Sequence, residues 1–444
     1  MLPAASGPIP LSLLLVLLLL LGVGLPEEAD ASPQQQPQQQ GAAPSEGPGI
    51  GRHASWSVGL RLYRALRTGS GGSGDSGDPQ KTNALFSPLM LAASLDALGQ
   101  ASKGATAGQI RELLKSSGQK GAAASAADFP RALKSMLEAN NTAYSLRAAS
   151  ALFTKQAAGL DQGFLKKARS ASQLDHVALP AATAGGSRQS DSAALRAWVL
   201  GATGGGAKVD HQPSQEPQAQ NGALILGNAL RFKGLWDRGF AESSEDLRNF
   251  LGVKYTRVPM MHRSGVHRHY EDVENMVQVL EVDLWGGHSS MLLLLPFLVE
   301  GLERLDKLLT LEQLQRWHSK LRTTSVSMSL PRVNLTSALN LQAALSSLGL
   351  SDAWDKAKAD FSGLGGSKGK LHLGGVMHWA SLELAPQSGQ KEGEDEEDEV
   401  EVEKPKLFYA DHSFIVMVTD KPTGALLLIG ALDTAEGRSL HDEL

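Results

Sequence analysis

The residues richest in chemistry are Leu407-Phe408-Tyr409-Ala410-Asp411-His412. Alternate side chains of an extended strand share a face. Leu407 and Tyr409 therefore read as a flat apolar strip, with Asp411 beside it as an acceptor for a cationic partner. His412 adds an imidazole, the side chain whose charge changes most readily near neutral pH. Other clusters carry less. Gly74-Asp75-Ser76-Gly77 copies the surroundings of a nucleophilic serine, yet a nucleophile needs a rigid setting and a base, and the run around it reads as a Gly/Ser linker. His267 and His269 fall on one strand face beside Glu271, but no third metal ligand is evident. Gly365-Gly366-Ser367-Lys368-Gly369-Lys370 lacks the spacing and the following Ser or Thr of a phosphate-binding loop, so it reads as a turn. No constellation supports an enzyme, and no cofactor or metal is expected.

The elements that must position the hexapeptide are legible around it. Two apolar runs, Phe414 to Val418 and Ala425 to Leu432, are separated by a turn carrying Pro422 and Gly424 and read as a buried hairpin. Ser325 to Leu330, Met291 to Pro296, Tyr144 to Phe153, Leu224 to Phe232 and Leu371 to Leu384 read as further strands. Helical spacing marks Trp56, Leu60, Tyr63 and Leu66. Ser87-Pro88 predicts an N-cap with Pro at the first helical position, ahead of a stripe of Leu91, Leu95 and Leu98. Helices also fit Phe129 to Ala139, Phe164 to Ser170, Ser192 to Leu200, Leu302 to Leu309 and Leu311 to Leu321.

The chain has 444 residues, 42% of them hydrophobic, enough to bury a large core. Its formal charge of −5 gives no sign of nucleic-acid binding. Cysteine is absent, so no disulfide or thiolate chemistry is available. Leu11 to Leu21 is a leucine run followed by Ala29-Asp30-Ala31, which reads as a signal peptide over residues 1–31. An uncleaved anchor is the alternative, because no Lys or Arg precedes the run. After cleavage no membrane insertion is expected. Residues 32–51, rich in Gln and Pro, read as a disordered tether, and residues 52–440 as one domain. The final His441-Asp442-Glu443-Leu444 is an ER-retrieval tetrapeptide read by a receptor in the lumenal pathway. Signal and tetrapeptide together place the chain in the endoplasmic reticulum lumen. There Asn140-Asn141-Thr142 and Asn334-Leu335-Thr336 are glycosylation acceptors, with Asn140 expected to be used and Asn334 less so.

Three stretches resemble the serpin superfamily: the hexapeptide with its hairpin, Asn83 to Ile110, and Asn228-Ala229-Leu230-Arg231-Phe232-Lys233-Gly234-Leu235-Trp236. The resemblance runs from about Trp56 to Leu432. It implies an α+β serpin fold with a large mixed main β-sheet, two smaller sheets and about eight or nine helices. In inhibitory members a hinge of small residues follows a conspicuous Glu and slides into the main sheet after a protease cuts the loop. Here Glu383 is followed by Pro386 and by nine carboxylates between Glu392 and Glu403. A loop 385–404 of this kind is not expected to insert, because buried unpaired charge is costly and Pro removes a ladder donor. The acidic run itself reads as solvated disorder, with weak calcium binding or contact with basic partners as alternatives.

A lumenal, non-inhibitory serpin resembles the collagen-chaperone branch of the family, as do Arg304 to Leu314 and Lys406 to His412. That resemblance implies a procollagen triple helix as partner, a monomeric binder, and specific contacts. Asp411 is expected to receive a client arginine, with Leu407 and Tyr409 as apolar neighbours. Arg248 and Leu251 are implied as further contacts if one gap is allowed before Tyr255, and Ser329 as a peripheral polar one. His262 and His412 are implied as pH-sensing positions. Phe297 and Leu298 stand where that branch has a histidine pair, so the switch is expected to be weaker or shifted. A serpin for another lumenal client or hormone-like ligand, and a protease inhibitor, are the alternatives.

Overall fold

The computed structural model describes residues 49–68, 83–115, 128–140, 144–155, 160–179, 187–205, 223–240, 245–388 and 404–439. All of them lie in one compact unit spanning 47–444. The signal peptide, most of the tether, residues 74–77, most of the acidic loop and the final tetrapeptide lie outside the described residues.

Nine α-helices occur among the described residues. They are α1 (Ser55–Thr68), α2 (Pro88–Gln100), α3 (Gly104–Leu114), α4 (Asp128–Glu138) and α5 (Gln162–Ser172), then α6 (Ser187–Thr203), α7 (Glu303–Leu308), α8 (Leu311–Lys320) and α9 (Gln342–Ser347). Strands β1 (Ala84–Phe86), β2 (Tyr144–Thr154), β3 (Leu174–Ala178), β4 (Ala223–Gly234) and β5 (Asp246–Leu251) come first. β6 (Tyr255–Asp272), β7 (Val277–Asp283), β8 (Ser289–Pro296), β9 (Arg322–Pro331) and β10 (Val333–Asn340) follow. The last are β11 (His372–Leu384), β12 (Lys406–Tyr409), β13 (Phe414–Asp420), β14 (Ala425–Leu432) and β15 (Arg438–Ser439).

The α2 start follows the predicted rule: the Ser87 hydroxyl accepts from the Met90 N–H with Pro88 at the first turn. Almost every residue of this helix is buried, so it runs through the core rather than along the surface. At the hairpin, β13 and β14 pair antiparallel through a turn in which Gly424 has φ 68, a conformation that suits glycine.

The main sheet has five strands in the order β10-β11-β4-β2-β3. It mixes antiparallel pairs with two parallel ones, β11 with β4 and β2 with β3. The two smaller sheets expected from the resemblance are hydrogen-bonded into one ten-stranded surface. The physical reason is the 18-residue β6, which pairs with β5, β7, β9 and β15 along its length. Alternation in its sequence is broken by Gly265 and by polar residues on both faces, so its full length does not read as one strand.

The core includes fully buried Trp56, Trp236, Trp317 and Trp379. Such side chains supply a large part of the hydrophobic stabilisation, and the ring N–H usually takes a partner. Trp56 donates to the Gly424 carbonyl at 2.9 Å and Trp236 to the Ala385 carbonyl at 2.6 Å. The first tie fastens α1 to the hairpin turn; the second fastens the end of β4 to the segment after β11.

Two histidines inside this core set an acid limit on stability. Burial pushes His378 down to about 3, and its Nε2 accepts the Ser87 N–H at 2.9 Å, a bond that a protonated ring cannot make. His267 is pushed down to about 4 by burial and by the Arg263 guanidinium. In the unfolded chain both rings take up a proton near 6.5. Below that pH the unfolded state binds more protons than the folded one, so stability is full above about 6.5 and falls as the pH drops toward 4. We expect the urea midpoint to decline steadily from pH 7 to 4.5, before most carboxylates titrate. A flat midpoint over that window contradicts the assignment.

Candidate functional site

The edge of the ten-stranded sheet carries the site. β12 ends the strand order and pairs parallel with β9, Leu407 opposite Ser327 and Tyr409 opposite Ser329. Phe408 between them is fully buried, whereas Leu407 is 54% and Tyr409 45% exposed. Burying a Phe contributes roughly 1.5–3 kcal/mol, so Phe408 pins the strand and leaves its neighbours facing out. β9 pairs in turn with β6, Ser327 opposite Ser264 and Ser329 opposite His262. Register partners share a face. Leu407 and Tyr409 therefore border a flat strip of small hydroxyl side chains.

Asp411 follows directly. Its side chain is 43% exposed, and its backbone carbonyl accepts the Leu251 N–H at 2.7 Å. That bond brings Leu251, at the end of β5, against the hexapeptide. The carboxylate Oδ1 lies 2.8 Å from His412 Nδ1, while His412 Nε2 lies 2.9 Å from the Pro296 carbonyl oxygen. Both of these partners accept only. A neutral imidazole has one N–H to give, so both contacts are hydrogen bonds only when the ring carries two protons.

Arg248 projects from β5, its side chain 58% exposed. Its Nε donates to both oxygens of Asp246, at 2.8 and 3.0 Å. Asp246 holds the Arg248 cation above its usual range, and the charges of Tyr409 and Asp411 act in the same direction. Hydrogen bonds from Arg248 and His262 in turn hold the Asp246 carboxyl down to about 2. His262 contacts Asp246 through Nε2 at 2.8 Å and the Ser329 hydroxyl through Nδ1 at 2.7 Å. Ser329, implied as a peripheral polar contact, is buried at 4% exposure, lies beside Tyr409 in register and has its hydroxyl 2.7 Å from His262 Nδ1. Asp246 was not anticipated, although Asp-x-Arg at alternate positions of an exposed strand was a readable signal.

The remaining sequence candidates fall elsewhere. His267 and His269 are buried, and Glu271 turns away to pair with Lys406 at 2.9 Å. Among the described residues no group of three or more His, Cys, Asp or Glu side chains is placed to hold a metal ion. Residues 365–370 form a turn in which Gly365, Gly366 and Gly369 have positive φ. Asn140 accepts the Leu146 N–H through its Oδ1 at 2.7 Å, and Asn334 accepts from the Ser381 hydroxyl at 2.8 Å.

The family model for Serpin (serine protease inhibitor) matches residues 54–434. The chain belongs to the serpin family. Among its relatives, Serpin H1 of Gallus gallus is 33% identical over 397 residues, covering 88% of this chain and 92% of that protein. Serpin H1 of Pongo abelii is 33% identical over 408 residues, covering 91% and 93%. The crystal structure of uncleaved ovalbumin superposes with a TM-score of 0.70 at 22% identity, covering 87% of this chain and 100% of that one, which shows the shared fold. In this serpin the main sheet keeps β11 paired directly with β4 from His372–Ala223 to Glu383–Lys233.

Proposed function

We propose that this serpin is a non-inhibitory chaperone of the endoplasmic reticulum lumen that binds the folded procollagen triple helix at the edge strand β12. The observation that carries the reading is the exposed pair Leu407 and Tyr409 flanking the half-exposed Asp411 carboxylate. A triple helix is a rigid rod with glycine at its axis and the other side chains outside. Its reader needs a flat apolar strip and a charge matched to a protruding arginine, and β12 with Asp411 supplies both. The Serpin H1 relatives support the same assignment. Arg248 and Leu251 border the contact; Ser329 lies beside Tyr409 on β9, bonded to His262.

His412 gives the site a way to unload. Its Nδ1 lies 2.8 Å from the Asp411 carboxylate and its Nε2 2.9 Å from the Pro296 carbonyl oxygen, and a ring with one N–H can donate to only one of these two acceptors. A ring carrying both protons donates to Pro296 and to Asp411 together, and so competes with the client guanidinium for the carboxylate. The test of the function is capture of the protein on immobilised triple-helical peptide with and without arginine. Retention that ignores the arginine would overturn the proposed contact.

Lumenal residence makes a separate prediction. Protein from secretory cells should shift in mobility after endoglycosidase treatment, and Asn140→Gln should remove most of that shift, with Asn334→Gln removing less. Unchanged mobility of the parent chain would contradict both the glycosylation and the lumenal assignment, including retrieval through His441 to Leu444.

A further inference from the structure

We propose that Asp246 is a positioning residue: by holding Arg248 it keeps that guanidinium off Asp411, leaving Asp411 open to an arginine of the client. The inference rests on the proposed triple-helix reading. Asp246 and Arg248 occupy alternate positions of β5 and are both exposed, and the guanidinium is held by both carboxylate oxygens. A second tie fixes the carboxylate, through His262 and Ser329, to β9, the strand paired with the one that carries Tyr409.

The alternative seat for Arg248 is close. Leu251 bonds to the backbone of Asp411 and lies three residues beyond Arg248, a span of about 10 Å along a strand that a long cationic side chain and a half-exposed carboxylate can close. The Arg248 cation already responds to the Asp411 charge. Without Asp246, an internal cation would sit where the client's belongs.

Exposed ion pairs contribute little to stability, and Asp246 and Arg248 side chains are 46% and 58% exposed. Asp246→Asn should therefore fold normally, which separates positioning from stability. The probe is a triple-helical peptide carrying a single arginine, measured by surface binding at neutral pH. We expect Asp246→Asn to bind about threefold to fivefold more weakly, the size expected from capture by a half-exposed pair. The same substitution in an Arg248→Ala background should cost nothing. Equal loss in both backgrounds would reduce Asp246 to a long-range field and overturn the proposal, as would no loss in either.

A client-free measurement keeps this outcome distinct from failure of the chaperone reading. In Asp246→Asn the pH at which the Asp411 carboxylate protonates, followed by side-chain NMR, should fall, and it should return in Asp246→Asn with Arg248→Ala. An unchanged titration overturns the positioning role whether or not the peptide binds. Absence of arginine-dependent binding by the parent chain, with the titration shifted as expected, would sink the triple-helix reading alone.

Discussion

Asp411→Asn is expected to bind arginine-containing triple-helical peptide one to several orders of magnitude more weakly than the parent chain while folding normally. Folding is spared because the tie that Asp411 makes to β5 runs through its backbone carbonyl, which asparagine keeps. Its side chain makes one described contact, to His412, which an amide oxygen can also accept. Binding is not spared. A guanidinium resting on Leu407 and Tyr409 is partly desolvated, and removing its charge partner typically costs about 2–5 kcal/mol. At about 1.4 kcal/mol per decade that is a loss of tenfold or far more. Replacing the peptide arginine by alanine should mimic the defect, and the two changes together should cost little more than either alone, as for groups in contact. Full additivity in that double-mutant cycle would show that the client is held elsewhere.

The second large effect concerns the loop before β12. In an inhibitory serpin, cutting this loop lets it enter the main sheet as an added strand, with a large gain in thermal stability. Here proteolysis within residues 389–403 should leave the unfolding temperature essentially unchanged, and no detergent-stable complex with a serine protease should form. Entry requires β11 to part from β4, a parallel ladder in register from His372 to Glu383. Glu383 spans that seam with ion pairs to Arg231 and Lys233, both at 2.9 Å. Beyond it the chain stays tied to the segment after β4: the Phe240 N–H donates to the Pro386 carbonyl at 3.0 Å, and the Trp236 N–H to Gln387 at 3.2 Å. The residues that would follow into the sheet carry nine carboxylates, each costly to bury unpaired. A rise of tens of degrees after cleavage, or a covalent complex on a gel, would end the non-inhibitory reading. Neutralising the seam with Glu383→Gln should not change that outcome, because the acidic residues still resist burial.

Much of this was written locally in the chain. The hairpin, the α2 cap at Ser87-Pro88 and the strip formed by Leu407 and Tyr409 follow from periods of two and of 3.6 and from turn chemistry, which act over a few residues. The exposed faces of β12 were legible for the same reason: alternation alone separates Phe408 from its neighbours. What sequence could not show was register between distant strands. Ser329 reads as a surface residue until β12 is laid beside β9, with Tyr409 opposite it and His262 on its other side. Asp246 reads as an ordinary exposed carboxylate until β5 folds back on β6 and brings His262 to it. The fusion of the smaller sheets depends on β6 finding partners at both ends, and the closed seam at Glu383 on which parallel strand lies next to β11. These pairings join residues up to about 150 positions apart, such as Arg231 and Glu383. They are chosen by which whole arrangement buries the core with its polar groups paired, a property of the folded chain that no local pattern encodes.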